Sequence, residues 1–416
     1  MRMTMKQIIL TLIAVVMLNG CSVVNYMRMK NANNDIEPVL PTSDASRFEQ
    51  SVQAFYIGEK PYIKVRVNGK EELLFLIDTG ASFTMLFDTE KVSRLQLERG
   101  FSLEVGGWGD GENSPAYQTQ LKSVAFGDVS FKDVKVAYIP ISTTQYYLTP
   151  DEAIFDGVLG HDLLRHLNWM FDKQASLISV ANASFSAKPN DVNIPTDTFF
   201  SKLKMPVTMH INGRDFEQEV SIDTGSRHYF KFNTEYVKNH NIQLPAVAIQ
   251  ASDFGLSGEA KHKRVRLPGL SLGNLRLEGI KTNVIEAEDE DNYWVIGSAL
   301  MNQFITIIDY QNNMIVFRPY EKDSFTSRYN LAGLDLRKLK NGMLIVRQVF
   351  PGLVANQHGF KAGSVVTSIN HVDARDITEQ DWLEMVAKPD TFEFCFKLQR
   401  CRRITTKHIE GYSTEP

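Results

Sequence analysis

Cysteine is nearly absent from this 416-residue chain, which has only Cys21, Cys395 and Cys401. Three cysteines cannot staple a chain of this length, so a disulfide scaffold is excluded and the fold must rest on buried apolar surface. Neither sign of charge dominates, with 45 Lys and Arg against 49 Asp and Glu. A nucleic-acid partner needs a positive face, so that class gives way to protein, peptide or small-molecule partners. Glycine (26) and proline (15) are too few for a collagen-like or disordered chain. A membrane-crossing helix needs a run of about 20 apolar residues. The run from Ile8 to Leu18, interrupted by Thr11, is much shorter. These limits leave a globular protein of two or three packing units, at about 150 residues each.

The N-terminus reads as an address. Arg2 and Lys6 precede the short apolar run, as in a signal peptide. The run ends in Leu18-Asn19-Gly20-Cys21, which resembles the lipobox of bacterial lipoproteins. That resemblance implies cleavage after residue 20, lipidation of Cys21 and attachment to a membrane by acyl chains. Ser22 in place of Asp resembles the signal for outer-membrane sorting, so the expected location is the bacterial cell envelope, facing the periplasm. Residues 21–50, with Asn31-Ala32-Asn33-Asn34-Asp35 and Pro41-Thr42-Ser43-Asp44, read as a tether without a core.

The body of the chain carries one pattern twice. Asn68-Gly69-Lys70 leads through an apolar stretch to Asp78-Thr79-Gly80, and Asn212-Gly213-Arg214 leads to Asp223-Thr224-Gly225. Each is a hairpin turn feeding a strand that ends in the same tripeptide. Farther on, Val158-Leu159-Gly160 is echoed by Val295-Ile296-Gly297. Duplication suits a chemistry that needs two carboxyl groups. Two such groups about 3 Å apart cannot both ionise, so they share a proton and supply acid and base together. Asp78 and Asp223 are therefore the candidate catalytic pair. Gly80 and Gly225 allow the tight turns that present them, and Thr79 and Thr224 face inward across the junction of the two halves.

Leu76-Ile77-Asp78-Thr79-Gly80-Ala81-Ser82, with the later Val158-Leu159-Gly160, resembles the retropepsin and pepsin clan of aspartic proteases over about residues 51–320. The resemblance implies a mainly β fold of two barrel-like lobes, 51–190 and 191–322, with a cleft between them and the apolar-apolar-Gly strands packed behind the Asp-Thr-Gly loops. It also implies hydrolysis of peptide bonds by an activated water, with no cofactor, no metal and no covalent intermediate. Ser226 follows the second Gly where Ala81 follows the first, so its hydroxyl is expected to bond Asp223, leaving Asp78 the more readily protonated. Gly106-Gly107-Trp108 is the candidate flap, with Ser252-Asp253-Phe254-Gly255 its counterpart. Arg227 departs from the small residues usual in the family. Its charge beside the pair would hinder proton sharing, which opens the alternative of a peptide-binding lipoprotein without catalysis.

Residues 323–416 differ in pattern. Leu331-Ala332-Gly333-Leu334-Asp335-Leu336, Pro351-Gly352-Leu353 and Gly363-Ser364-Val365-Val366 resemble a PDZ domain of the bacterial protease-associated kind, a small α+β unit. The resemblance implies that Gly333, Leu334, Asp335 and Leu336 border a groove for a peptide C-terminus, bound by strand addition. Cys395 and Cys401 could pair across a hairpin in an oxidising envelope, but Cys401 falls in the predicted turn, so free thiols are expected. Because the lobes contain every group the chemistry needs, removing this unit is expected to spare cleavage of short peptides.

Overall fold

The computed structural model describes residues 22–41, 47–153, 155–321 and 324–412. Cys21 and the signal-peptide residues before it lie outside the described residues. The chain is mainly β, as expected, in two barrel-like lobes and a smaller α+β unit. Among the described residues, no helix is long and apolar enough to cross a membrane.

The duplicated turns set the first register of each lobe. Asn68 and Gly69 have φ of 53° and 69°, and Asn212 and Gly213 have 55° and 70°. Two consecutive left-handed residues make the type I′ turn that matches strand twist. The first turn joins Lys60–Val67 to Glu71–Ile77, and the second joins Lys202–Ile211 to Arg214–Asp223. Alternation then decides the buried face. In Lys202–Ile211, the side chains of Leu203, Met205, Val207, Met209 and Ile211 point inward while their neighbours face outward.

The strand leading to each Asp-Thr-Gly pairs in parallel with the apolar-apolar-Gly strand. Ile77 lies opposite Leu159, and Ile222 opposite Ile296. The lobes are joined by a shared sheet, in which Asn168–Asp172 pairs antiparallel with Phe304–Asp309, Phe171 opposite Thr306. This arrangement turns a sequence repeat into an approximate two-fold relation between lobes.

The tether reading is corrected. Residues 22–30 form a helix whose Met29 is fully buried in a cluster with Tyr62, Leu76 and Phe83. Asn33 then donates to Asp162 at 2.7 Å in a buried pair. Val23, Tyr26 and Met29 recur every third residue, a helical stripe that is obscured by the polar residues after it.

In the C-terminal unit, Leu334–Lys338 and Leu344–Val349 open a sheet that continues through Val365–Ile369, Thr391–Phe396 and Gln399–Thr405. Helix Glu379–Met385, capped by the reciprocal Thr378 and Asp381 bonds, lays Trp382 on Phe392 and Phe394. The free-thiol expectation is corrected, since Cys395 and Cys401 form a disulfide. A bulge between Phe394 and Phe396 shifts the hairpin register and brings the two side by side.

Candidate active site

The two Asp-Thr-Gly loops meet at the lobe junction. Thr79 Oγ1 donates to the Ile222 carbonyl and Thr224 Oγ1 to the Ile77 carbonyl, each at 2.7 Å. Each hydroxyl also accepts the other threonine's backbone N–H at 3.1 Å. Both side chains are buried, so these reciprocal bonds lock the loops in register without competition from water.

Asp78 and Asp223 line one cleft, the carboxyl of each lying against the glycine of the opposite loop. The glycines have a different role from the expected one, because neither Gly80 nor Gly225 has a positive φ. What each permits is close approach. A methyl on Gly80 would stand 2.7 Å from the Asp223 carboxyl carbon, and one on Gly225 would run into the Asp78 carboxyl.

The pair is asymmetric. Asp78 Oδ1 accepts the amides of Gly80 at 2.8 Å and Ala81 at 3.1 Å. Asp223 Oδ1 is buried with no hydrogen-bond partner among the described residues, and so is the Ser226 hydroxyl. The expected bond from Ser226 to Asp223 is therefore absent. Burial first, and then the neighbouring Asp223, push the Asp78 carboxyl up to about 7, against the opposing pull of Lys60 and the Gly80 amide.

Around the pair runs a cleft of about 1200 Å³, lined from both lobes. Its roof is a double flap. The loop after Ser102–Val105 carries Gly106, Gly107 and Trp108, and the hairpin of Ile249–Gly255 and Gly258–Leu272 rises from the second lobe. The tips are bonded to each other. Ser257 N–H donates to the Trp108 carbonyl at 3.0 Å, and Gly111 N–H donates to the Ser257 carbonyl at 2.8 Å. Ser252 to Gly255 thus form one arm of the second flap.

Arg227 neither points to solvent nor bears on the pair as a free charge. It donates to both oxygens of Asp335, at 3.0 and 2.9 Å, and lies 3.6 Å from Asp253. His228 Nε2 is 2.7 Å from the other Asp253 oxygen, so the residues after the second Asp-Thr-Gly fasten both the flap and the C-terminal unit.

At the expected groove, Gly333 to Leu336, Asp335 is held by Arg227 of the second lobe. Leu334, Asp335 and Leu336 are buried, and the strand's end is met by the first lobe, where Ala153 N–H donates to the Lys338 carbonyl at 2.9 Å. A carboxylate at this position repels a peptide's terminal carboxylate and attracts Arg227 instead.

Several cleft residues escape sequence reasoning: Lys60, Met85, Tyr146, Lys231 and Arg337, with Ser22, Val23 and Tyr26 of the N-terminal helix. None stands in a motif. Lys231 is buried yet, among the described residues, lies in no ion pair. Burial lowers its ammonium to about 8, against the attraction of Asp253 and Asp223, and the ammonium sits 3.9 Å over the Trp108 ring. Only alignment of the two halves carries a signal for it.

Comparison with curated proteins found no match. Residues 63–163, which include the first Asp-Thr-Gly and Val158-Leu159-Gly160, match the model of a family described as aspartyl protease, and this supports a retropepsin-like aspartic protease domain in the chain.

Proposed function

We propose that this chain is an aspartic endopeptidase of the bacterial envelope, with Asp78 and Asp223 as its catalytic pair. The observation that carries the reading is the mutual approach of the two carboxyls, each seated over the opposite loop's glycine and held by the reciprocal threonine bonds. One carboxyl holds a proton while the other is ionised. The ionised group takes a proton from water, whose oxygen attacks the peptide carbonyl carbon. The protonated group hydrogen-bonds the carbonyl oxygen and then gives its proton to the departing nitrogen. Thr79, Gly80, Thr224 and Gly225 position the pair, and Gly106, Gly107 and Trp108 close over the substrate.

The non-catalytic alternative rests on Arg227 disturbing the pair. The bonds of Arg227 to Asp335 speak against it, because a neutralised guanidinium exerts little field on the dyad. The remainder of the reading comes from sequence: lipidation at Cys21, an outer-membrane location facing the periplasm, and a PDZ-like C-terminal unit. Its test is fractionation, with Cys21→Ser expected to leave the membrane pellet.

Catalysis is tested with the purified chain and a mixture of unstructured peptides, the products being read by mass spectrometry. Asp78→Asn and Asp223→Asn are each expected to lose at least about 1000-fold in rate with unchanged circular dichroism. Near-normal turnover in either well-folded variant overturns the assignment.

A further inference from the structure

The two lobes are related by strand register as well as by motif, and the register identifies a pair of facing positions in the cleft. In the first lobe, Met85 lies opposite Val158 and pairs in parallel with Ala137. In the second, Lys231 lies opposite Val295 and pairs in parallel with Asn283. Val158 and Val295 are equivalent, each being the residue before the one that pairs with Ile77 or Ile222. Lys231 is therefore the second lobe's counterpart of Met85. Both line the cleft, but one is apolar and the other carries an ammonium.

That ammonium is costly to keep. Lys231 is 3% exposed and, among the described residues, has no carboxylate within ion-pairing distance. Its ammonium lies over the Trp108 ring of the flap, and Asp253, which attracts it, is occupied by His228, Arg227 and Arg264. Buried charges are ordinarily paired. A largely buried lysine at the cleft wall, beneath the flap ring, lacks an ion-pairing anion among the described residues.

We propose that Lys231 is a specificity-determining residue that receives an acidic side chain of the substrate peptide on the second-lobe side of the scissile bond, while Met85 receives an apolar one on the first-lobe side. This rests on the endopeptidase reading. The chemistry is a charge-assisted hydrogen bond from ammonium to carboxylate in a water-poor site. The Trp108 ring covers the pair when the flaps are closed. The unequal subsites make the cleft directional even though its two halves share one architecture.

The test uses fluorophore–quencher decapeptides in which each position in turn is Glu, Gln, Leu or Lys, cleaved by the full chain. One position is expected to favour Glu over Gln by about 10- to 100-fold in kcat/KM, the range of a charged hydrogen bond, chiefly through KM. Lys231→Met should abolish that preference and favour Leu there, and Lys231→Arg should retain it. Met85→Lys, which leaves Lys231 in place, should create a second acidic preference across the scissile bond. Equal use of Glu and Gln by the wild type, or a Glu preference unchanged in Lys231→Met, overturns the proposal. The same peptides are also titrated for binding by fluorescence anisotropy. If nothing is cleaved, the endopeptidase reading fails by itself. Binding then decides the present one: a Glu preference lost in Lys231→Met supports it, and equal binding of Glu and Gln peptides overturns it.

Discussion

Arg227 of the second lobe grips Asp335 of the C-terminal unit through two parallel hydrogen bonds, across 108 residues of sequence. The pair is largely withdrawn from water, Arg227 at 13% and Asp335 at 7% side-chain exposure. It ties the loop after the second Asp-Thr-Gly to a unit outside the lobes.

Breaking a buried pair by removing one partner leaves an uncompensated charge, at a cost of about 3–5 kcal/mol. Asp335→Ala is therefore expected to lower stability by about that amount in denaturant titration. Arg227→Met combined with Asp335→Leu should recover most of it. A loss below about 0.5 kcal/mol in the single variant refutes the pair's structural role. Burial raises the Asp335 carboxyl, but Arg227 and Arg337 outweigh it and hold the group well below its ordinary range. A depressed carboxylate contributes stability that is complete above its unfolded value, about 3.9. That contribution is lost as pH falls through the folded value. The acid limb of the stability profile should accordingly flatten below about pH 4 in Asp335→Asn.

The candidate pair has the opposite sign. Asp78 is raised to about 7, so the folded chain binds a proton there that the unfolded chain releases near pH 4. Stability from this group is present at low pH and declines as pH rises toward 7. Asp78→Asn removes the penalty and is expected to raise the melting temperature by a few degrees at pH 7.5 and by less at pH 4. Cleavage by the wild type should fall on the alkaline side with an apparent value near 7. A melting temperature for Asp78→Asn that is unchanged at both pH values would contradict the raised carboxyl.

The threonine lock predicts coupling between lobes. Thr79→Val removes a hydroxyl that donates to Ile222 and accepts from the Thr224 amide, leaving buried groups unsatisfied at about 1–3 kcal/mol each. Thr79→Val and Thr224→Val should each destabilise by more than 1 kcal/mol and be non-additive when combined. Simple additivity within about 0.3 kcal/mol would show that the two hydroxyls act independently.

Removing residues 324–416 is expected to harm the lobes, contrary to the expectation from sequence. Ile249 and Ala251 of the flap strand share a buried cluster with Tyr329, Leu331, Phe350 and Tyr412, and Tyr412 donates to the Arg264 carbonyl at 2.7 Å. Deletion uncovers that cluster and leaves Arg227 without Asp335. The truncated chain should unfold at lower denaturant and cleave short peptides at least about tenfold more slowly. An unchanged midpoint with a rate within twofold would make the unit an appendage.

Sequence alone carried whatever depends on neighbours along the chain. Asn-Gly turns require left-handed residues, alternation requires a half-buried strand, and an Asp-Thr-Gly that occurs twice requires two strand ends, so the lobes and the candidate pair were legible. The helix over residues 22–30 was nearly so, but its stripe of Val23, Tyr26 and Met29 is short and followed by polar residues. What the sequence could not decide is pairing between distant groups. Arg227 reads as an intrusion on the dyad until Asp335 is seen against it, and Asp335 reads as a groove residue until Arg227 is seen to hold it. Gly80 reads as a turn residue until the Asp223 carboxyl is found beneath it. Lys231 matches Met85 only through strand register, because the loop before it holds one more residue than its counterpart. Charge partners, close approach and register are set by where chains meet in space, and that information lies in the tertiary structure.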